Sequence, residues 1–170
     1  MNDWSADVHA EMRARQIELI ATVPDAGLTR LLNLCDDDPA MRVITLTTEE
    51  EGIGLLAGAW LGGKRSVMLM QSSGIGNIIN ALTLPNMCQA PCLMLVTMRG
   101  QAGEFNPWQV SMGTRGPKVL AEVGVNCRPI DDPAAVGPAF AEAADTAFGD
   151  GGCEAVLVAQ SVIGTKSFEQ

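Results

Sequence analysis

Three short runs, Ser66 to Gln71, Pro91 to Met98 and Glu154 to Gln160, are apolar almost throughout and stand between segments of helical character. A strand apolar at successive positions shows hydrophobic side chains on both faces, so its sheet must be covered on both sides. With helices between the strands, this predicts a single three-layer α/β domain with a mostly parallel central sheet. Residues Ala6 to Ile20, carrying Met12, Ile17, Leu19 and Ile20 among charged groups, read as a helix that ends before Val23-Pro24-Asp25. A second helix follows, with Leu28, Leu31 and Leu32 on one face. Arg42 to Leu46 is a β-branched strand, and Glu49 to Leu61 a helix closed by Gly62-Gly63. Ile75 to Leu84 is the next helix, and a polar loop runs through Pro107. Val125 to Ile130 is a strand and Pro133 to Phe148 an alanine-rich helix. Right-handed crossovers put every strand-to-helix turn on one sheet edge. Pro24-Asp25, Thr48-Glu49, Gln71 to Gly76 and Arg99 to Gln109 fall at such turns and should converge.

A chain of 170 residues, 47% hydrophobic, predicts one domain with a real core over residues 1–164 and a frayed tail at 165–170. The net charge of −9 repels phosphates, so neither nucleic acid nor an anionic membrane is an expected partner. An anionic substrate must then be met locally, by a few basic groups or backbone amides. Five cysteines (Cys35, Cys88, Cys92, Cys127, Cys153) form no C-x-x-C pair and read as buried thiols of a reducing compartment. With His9 alone, no zinc set is visible. The start Met1-Asn2-Asp3-Trp4 has no basic or apolar leader, and the apolar stretches are too short to span a bilayer, which predicts a cytoplasmic protein.

Two segments carry candidate chemistry. Thr47-Thr48-Glu49-Glu50-Glu51-Gly52 places a carboxylate where a strand gives way to a helix, with Leu55, Leu56, Ala57 and Trp60 behind it to exclude water. Such a carboxylate can work as an acid or base, although acidic residues at a helix start also simply complement its dipole. Met70-Gln71-Ser72-Ser73-Gly74-Ile75-Gly76-Asn77 is a glycine-rich turn whose backbone can approach a ligand closely. A dinucleotide reading fits it poorly, because Ile79 stands where the third glycine belongs and no acidic residue follows at ribose distance. Cys88 and Cys92, flanking Pro91, read as core, and Gly149-Asp150-Gly151-Gly152 as a helix stop and turn.

Taken in order, Val23-Pro24-Asp25, Thr47 to Gly52 with Ala57-Gly58, Gln71 to Asn77 with Asn80-Ala81-Leu82-Thr83, Arg99-Gly100 and Pro107 to Gly113 resemble the pyrimidine-binding domain of thiamine-diphosphate-dependent decarboxylases. Within them the pattern is most similar to the alpha subunits of sulfopyruvate decarboxylases, with phosphonopyruvate decarboxylases sharing the first three blocks. The resemblance selects Glu49, nine residues before Gly58, as the carboxylate that hydrogen-bonds N1′ of the aminopyrimidine and promotes formation of the C2 carbanion. It implies Pro24, Ser73, Gly74 and Asn77 on the cofactor's pyrimidine side, and Gln71, Ser72 and Arg99 toward the substrate, with Arg99 a candidate for holding a sulfonate. It also implies a partner. The chain has no room for the diphosphate- and Mg²⁺-binding domain, which a beta subunit would supply with the cofactor between the two. The expected reaction is decarboxylation of 3-sulfopyruvate to sulfoacetaldehyde, in coenzyme M biosynthesis or sulfonate metabolism. Phosphonopyruvate is the rival substrate, and a non-catalytic assembly subunit or a nucleotide-binding module the rival roles.

Overall fold

Alternation along the central strands sorts the core into two layers. In β3 (Arg65–Gln71) and β4 (Cys92–Thr97), Val67, Leu69, Leu93 and Leu95 enter one apolar cluster, while Met68, Met70, Cys92, Met94 and Val96 enter the other. The computed structural model, which describes residues 3–164, joins these strands with β1 (Ile17–Thr22), β2 (Arg42–Thr45), β5 (Val125–Ile130) and β6 (Cys153–Val158) in a six-stranded sheet. Its order is β2-β1-β3-β4-β6-β5, and every pairing is parallel. The proposed tail at 165–170 lies outside the described residues.

On one face lie α1 (Trp4–Ala14), α2 (Thr29–Asp36) and α7 (Pro133–Asp150), which bury Val8, Met12, Leu31 and Phe140. The other face is covered by α3 (Glu49–Leu61), α4 (Ile75–Ile78), α5 (Thr83–Cys88) and α6 (Pro107–Glu122), through Ile53, Leu56, Ile75, Ile78 and Leu120. A last short helix, α8 (Gln160–Ile163), follows β6. No described helix is long and apolar enough to cross a membrane.

Three sequence expectations change. The helix read over Ala6 to Ile20 stops at Ala14, and Ile17 opens β1. Gln16, with φ of 56°, turns the chain out of the helix, and Ile17, Ile20 and Ala21 are then buried by the layers on either side of the sheet. The loop expected through Pro107 is present over 99–106, and α6, for which the sequence set no expectation, follows it, begun by the Asn106 side chain accepting from Trp108 N–H, with Pro107 in the first turn. The helix read over Ile75 to Leu84 is two short ones, α4 and α5. Cys88, read as core, is exposed on α5, whereas Cys35, Cys92 and Cys153 are buried.

Candidate functional site

The sheet order reverses at β1, since β2 lies on one side of it and β3 on the other. In open α/β sheets the crevice at such a switch point, at the carboxyl ends of the strands, is where ligands bind. The predicted residues arrive there from four adjacent strands: Pro24 after β1, Glu49 after β2, Gln71 to Asn77 at and after the end of β3, and Arg99 after β4.

The three glutamates at the start of α3 separate by environment. Glu50 and Glu51 are exposed, and Glu51 accepts a hydrogen bond from Thr47 N–H at 2.8 Å, so it fixes the turn into the helix. Glu49 is 7% exposed, and its Oε2 accepts from Asn77 Nδ2 at 2.7 Å. Gly74 makes the space: a Cβ there would lie against Oε1 of Glu49 and 2.5 Å from its Cδ. Glu49, Gly74 and Asn77 are thus one constellation, and no hydrogen bond within the described residues reaches Oε1. Of the apolar backing expected behind it, Leu55 and Ala57 are only half-buried. Leu56 is buried, but Trp60 is 41% exposed and Ile53 takes its place in the core.

A second group is centred on Asp25, which the sequence places among the converging turns without a role of its own. Its Oδ1 accepts from Gln71 Nε2 at 2.7 Å, and its Oδ2 accepts from Gly27 N–H at 3.0 Å and Thr97 Oγ1 at 3.1 Å. Ser73 Oγ donates to Gln71 Oε1 at 2.8 Å. The position of Asp25 at a strand end, beside Pro24, was the available signal. Pro24 itself is exposed at the start of this turn.

Ser72 and Arg99 are turned inward. Ser72 is fully buried, and its Oγ accepts from Arg99 N–H at 3.0 Å, which ties the end of β3 to the end of β4. The Arg99 guanidinium forms a two-pronged pair with Glu104, Nε to Oε2 at 2.6 Å and Nη2 to Oε1 at 2.7 Å, with both side chains buried. Glu104 also accepts from Gly100 N–H, Asn106 N–H and Gln160 Nε2. Arg99 above all, helped by these donors, brings its carboxyl down to about 2. Gln109 Oε1 in the same region is buried without a partner among the described residues. A cavity of about 500 Å³ behind this loop, lined by Met98, Pro117, Pro129, Ile130 and Leu157, touches none of the predicted site residues.

No family model matches the chain. Its curated relatives are informative. The chain is 36% identical over 157 residues to sulfopyruvate decarboxylase subunit alpha of Methanothermobacter thermautotrophicus, covering 92% of this chain and 95% of that one. It belongs to the sulfopyruvate decarboxylase alpha-subunit family. The corresponding subunit of Methanocaldococcus jannaschii is 40% identical over 117 residues, 68% of this chain and 69% of the relative. Phosphonopyruvate decarboxylase of Streptomyces viridochromogenes is 40% identical over 101 residues, 59% of this chain but 25% of that protein. Among solved structures, 2-oxoglutarate:ferredoxin oxidoreductase from Magnetococcus marinus, determined with 2-oxoglutarate, coenzyme A and succinyl-CoA bound, superposes with a TM-score of 0.75. The match covers 96% of this chain and 29% of that one at 15% identity, a likeness of fold.

Proposed function

We propose that this chain is the pyrimidine-binding alpha subunit of a split decarboxylase that converts 3-sulfopyruvate to sulfoacetaldehyde and CO₂, using thiamine diphosphate held between it and a beta subunit. The observation that carries the reading is the Glu49 constellation: one buried carboxylate at a strand-to-helix turn, with Oε2 held by Asn77, Oε1 unengaged, and a glycine leaving room beside it. This donor set fits a protonated ring nitrogen. Thiamine diphosphate, when bound, supplies the electron sink for the bond to the departing carboxylate. Glu49 Oε1 accepts the hydrogen on N1′, and Asn77 keeps the carboxylate from rotating away. Pro24, Ser73 and Gly74 form the pyrimidine wall. Gln71 lies toward the substrate. Ser72 contributes through the backbone of Arg99, which its hydroxyl fixes.

Arg99 offers a substrate anion little more than its Nη1 edge, because Glu104 takes Nε and Nη2 and balances its charge. In this proposal the beta subunit therefore brings further cations as well as the groups for Mg²⁺ and the diphosphate, and the complex works in the cytoplasm. The similarity to phosphonopyruvate decarboxylases makes phosphonopyruvate the rival substrate, and assaying both with the assembled complex separates them.

The test is Glu49→Gln in the assembled complex. Turnover should fall by roughly 10²–10⁴-fold, the scale of a lost acid–base group, with cofactor still bound. Near-normal turnover would remove Glu49 from the chemistry and leave an assembly role.

A further inference from the structure

We propose that Asp25 is a positioning residue: its carboxylate fixes which way the Gln71 amide faces and, through it, the Ser73 hydroxyl, so that this edge of the site presents oxygen lone pairs. Donors and acceptors fix the arrangement. An ionised carboxylate only accepts, so the end of Gln71 that meets Asp25 at 2.7 Å is its NH₂. An amide's orientation is ordinarily ambiguous, and here its neighbour decides it. Gln71 Oε1 is thereby aimed at Ser73, whose single hydrogen is committed to it at 2.8 Å. The chain of contacts ends in the lone pairs of Ser73 Oγ on an exposed residue. Those lone pairs suit a group that brings a hydrogen, an amine or hydroxyl of a bound molecule, and repel an anion. The anionic end of a substrate therefore lies away from Gln71 and Ser73.

Asp25 is well placed to impose this order. It joins three neighbouring strand ends: its own after β1, Gln71 at the end of β3 and Thr97 at the end of β4. Three donors converge on its two oxygens. An amide in its place has one oxygen and one NH₂, and cannot accept from all three. Thr97 has a second acceptor, the Met70 carbonyl at 3.4 Å, so its hydroxyl can turn away. If Gly27 N–H keeps the remaining oxygen, the new NH₂ faces Gln71, which must flip and reverse the polarity of Ser73.

The experiment has two arms, and only the second rests on the decarboxylase reading. In the first, side-chain amide resonances of Gln71 are followed by ¹⁵N–¹H NMR in the full chain, assigned by their loss in Gln71→Met. Asp25→Asn should shift both Gln71 protons and speed their exchange, while Thr97→Val, which removes a different donor to Asp25, should leave them near their original positions. Unchanged Gln71 signals in folded Asp25→Asn overturn the proposal. In the second arm, the assembled complex is assayed with Asp25→Asn, Gln71→Met and the pair. Each single change should lower kcat by roughly 10²-fold, as for a misplaced reacting group, with KM for the anionic substrate little changed. The double variant should be no worse than the worse single, since both act through one chain of contacts. Losses that multiply, or a loss confined to KM, contradict it. Where Asp25→Asn does not fold, Gln71→Met supports the proposal by the same loss in kcat at unchanged KM, and refutes it by normal kcat.

Discussion

Replacing Gly74 by alanine isolates what room beside Glu49 is worth. Gly74 has φ of −71° and ψ of −14°, which alanine adopts without strain, so the backbone is indifferent to the change. The added methyl, however, would press on Oε1 and lie 2.5 Å from Cδ and 2.6 Å from Cγ of Glu49. Carbon atoms rest at about 3.5–4.0 Å, so the carboxylate has to retreat by about 1 Å. Asn77 holds the other oxygen at 2.7 Å, so the retreat also breaks or bends that bond. A displacement of that size in a reacting group costs roughly 10²-fold in rate, about 2.7 kcal/mol of barrier. The crowding costs about 1–3 kcal/mol of stability. Gly54→Ala, on the exposed face of α3 where a Cβ meets nothing within 4 Å, is the control, and should stabilise the free chain by about 0.5–1 kcal/mol. The assay is CO₂ release by the complex at saturating thiamine diphosphate, beside thermal melts of the free chains. Full kcat in Gly74→Ala would mean that the position of Glu49 does not matter to the reaction.

Two further outcomes follow from ionisation and burial. Glu104 is held near 2 against an ordinary value of 4.5, so the stability it contributes is present above about pH 4.5 and lost as pH falls toward 2. Glu104→Gln should therefore melt below the unsubstituted chain at neutral pH, with the gap closing across that window; a gap independent of pH contradicts the Arg99 pairing. Alkylation of the native chain followed by mass spectrometry should modify exposed Cys88 first, and leave Cys92, and Cys35 whose thiol burial pushes up to about 12, unmodified until unfolding. Modification of Cys35 at the rate of Cys88 would show that its side of the core opens readily.

Much of this architecture was legible because the parallel strands are apolar on both faces, a pattern with few other solutions. The helix Glu49–Leu61 and the strand Val125–Ile130 match their expected limits, the first because glycines close it and the second because a Pro-initiated helix follows. β1 was hidden because Ile17, Leu19 and Ile20 suit a helix continuing from Met12, and only a left-handed Gln16 breaks it. α6 was hidden by composition: Gly113, Gly116 and Pro117 argue against a helix, yet two of them serve packing. A Cβ at Gly113 would collide with the Arg99 carbonyl and lie 2.8 Å from Gly100 Cα, and one at Gly116 would be 2.6 Å from Ile75 Cδ1. Their spacing of three residues was the trace of that contact.

At the site, the convergence of strand ends was readable from topology, and the selection of Glu49 among three glutamates came from the family resemblance. Burial separates the same residue from its neighbours, while its chemical role belongs to the proposal. What could not be read was pairing. Nothing in sequence says that Arg99 spends its fork on Glu104, five residues on, or that Asp25, Gln71 and Ser73 form one line of hydrogen bonds. Those depend on side-chain directions at loop ends, where no periodicity constrains them.

Whether this chain is half of a thiamine-diphosphate enzyme is decided by native mass spectrometry of the tagged chain purified from its own source with Mg²⁺ and thiamine diphosphate. The expected result is an assembly containing a second, different chain with the cofactor bound. A homo-oligomer that takes up no cofactor despite its presence would contradict it, and would return Glu49 to the part of an ordinary carboxylate at a helix start.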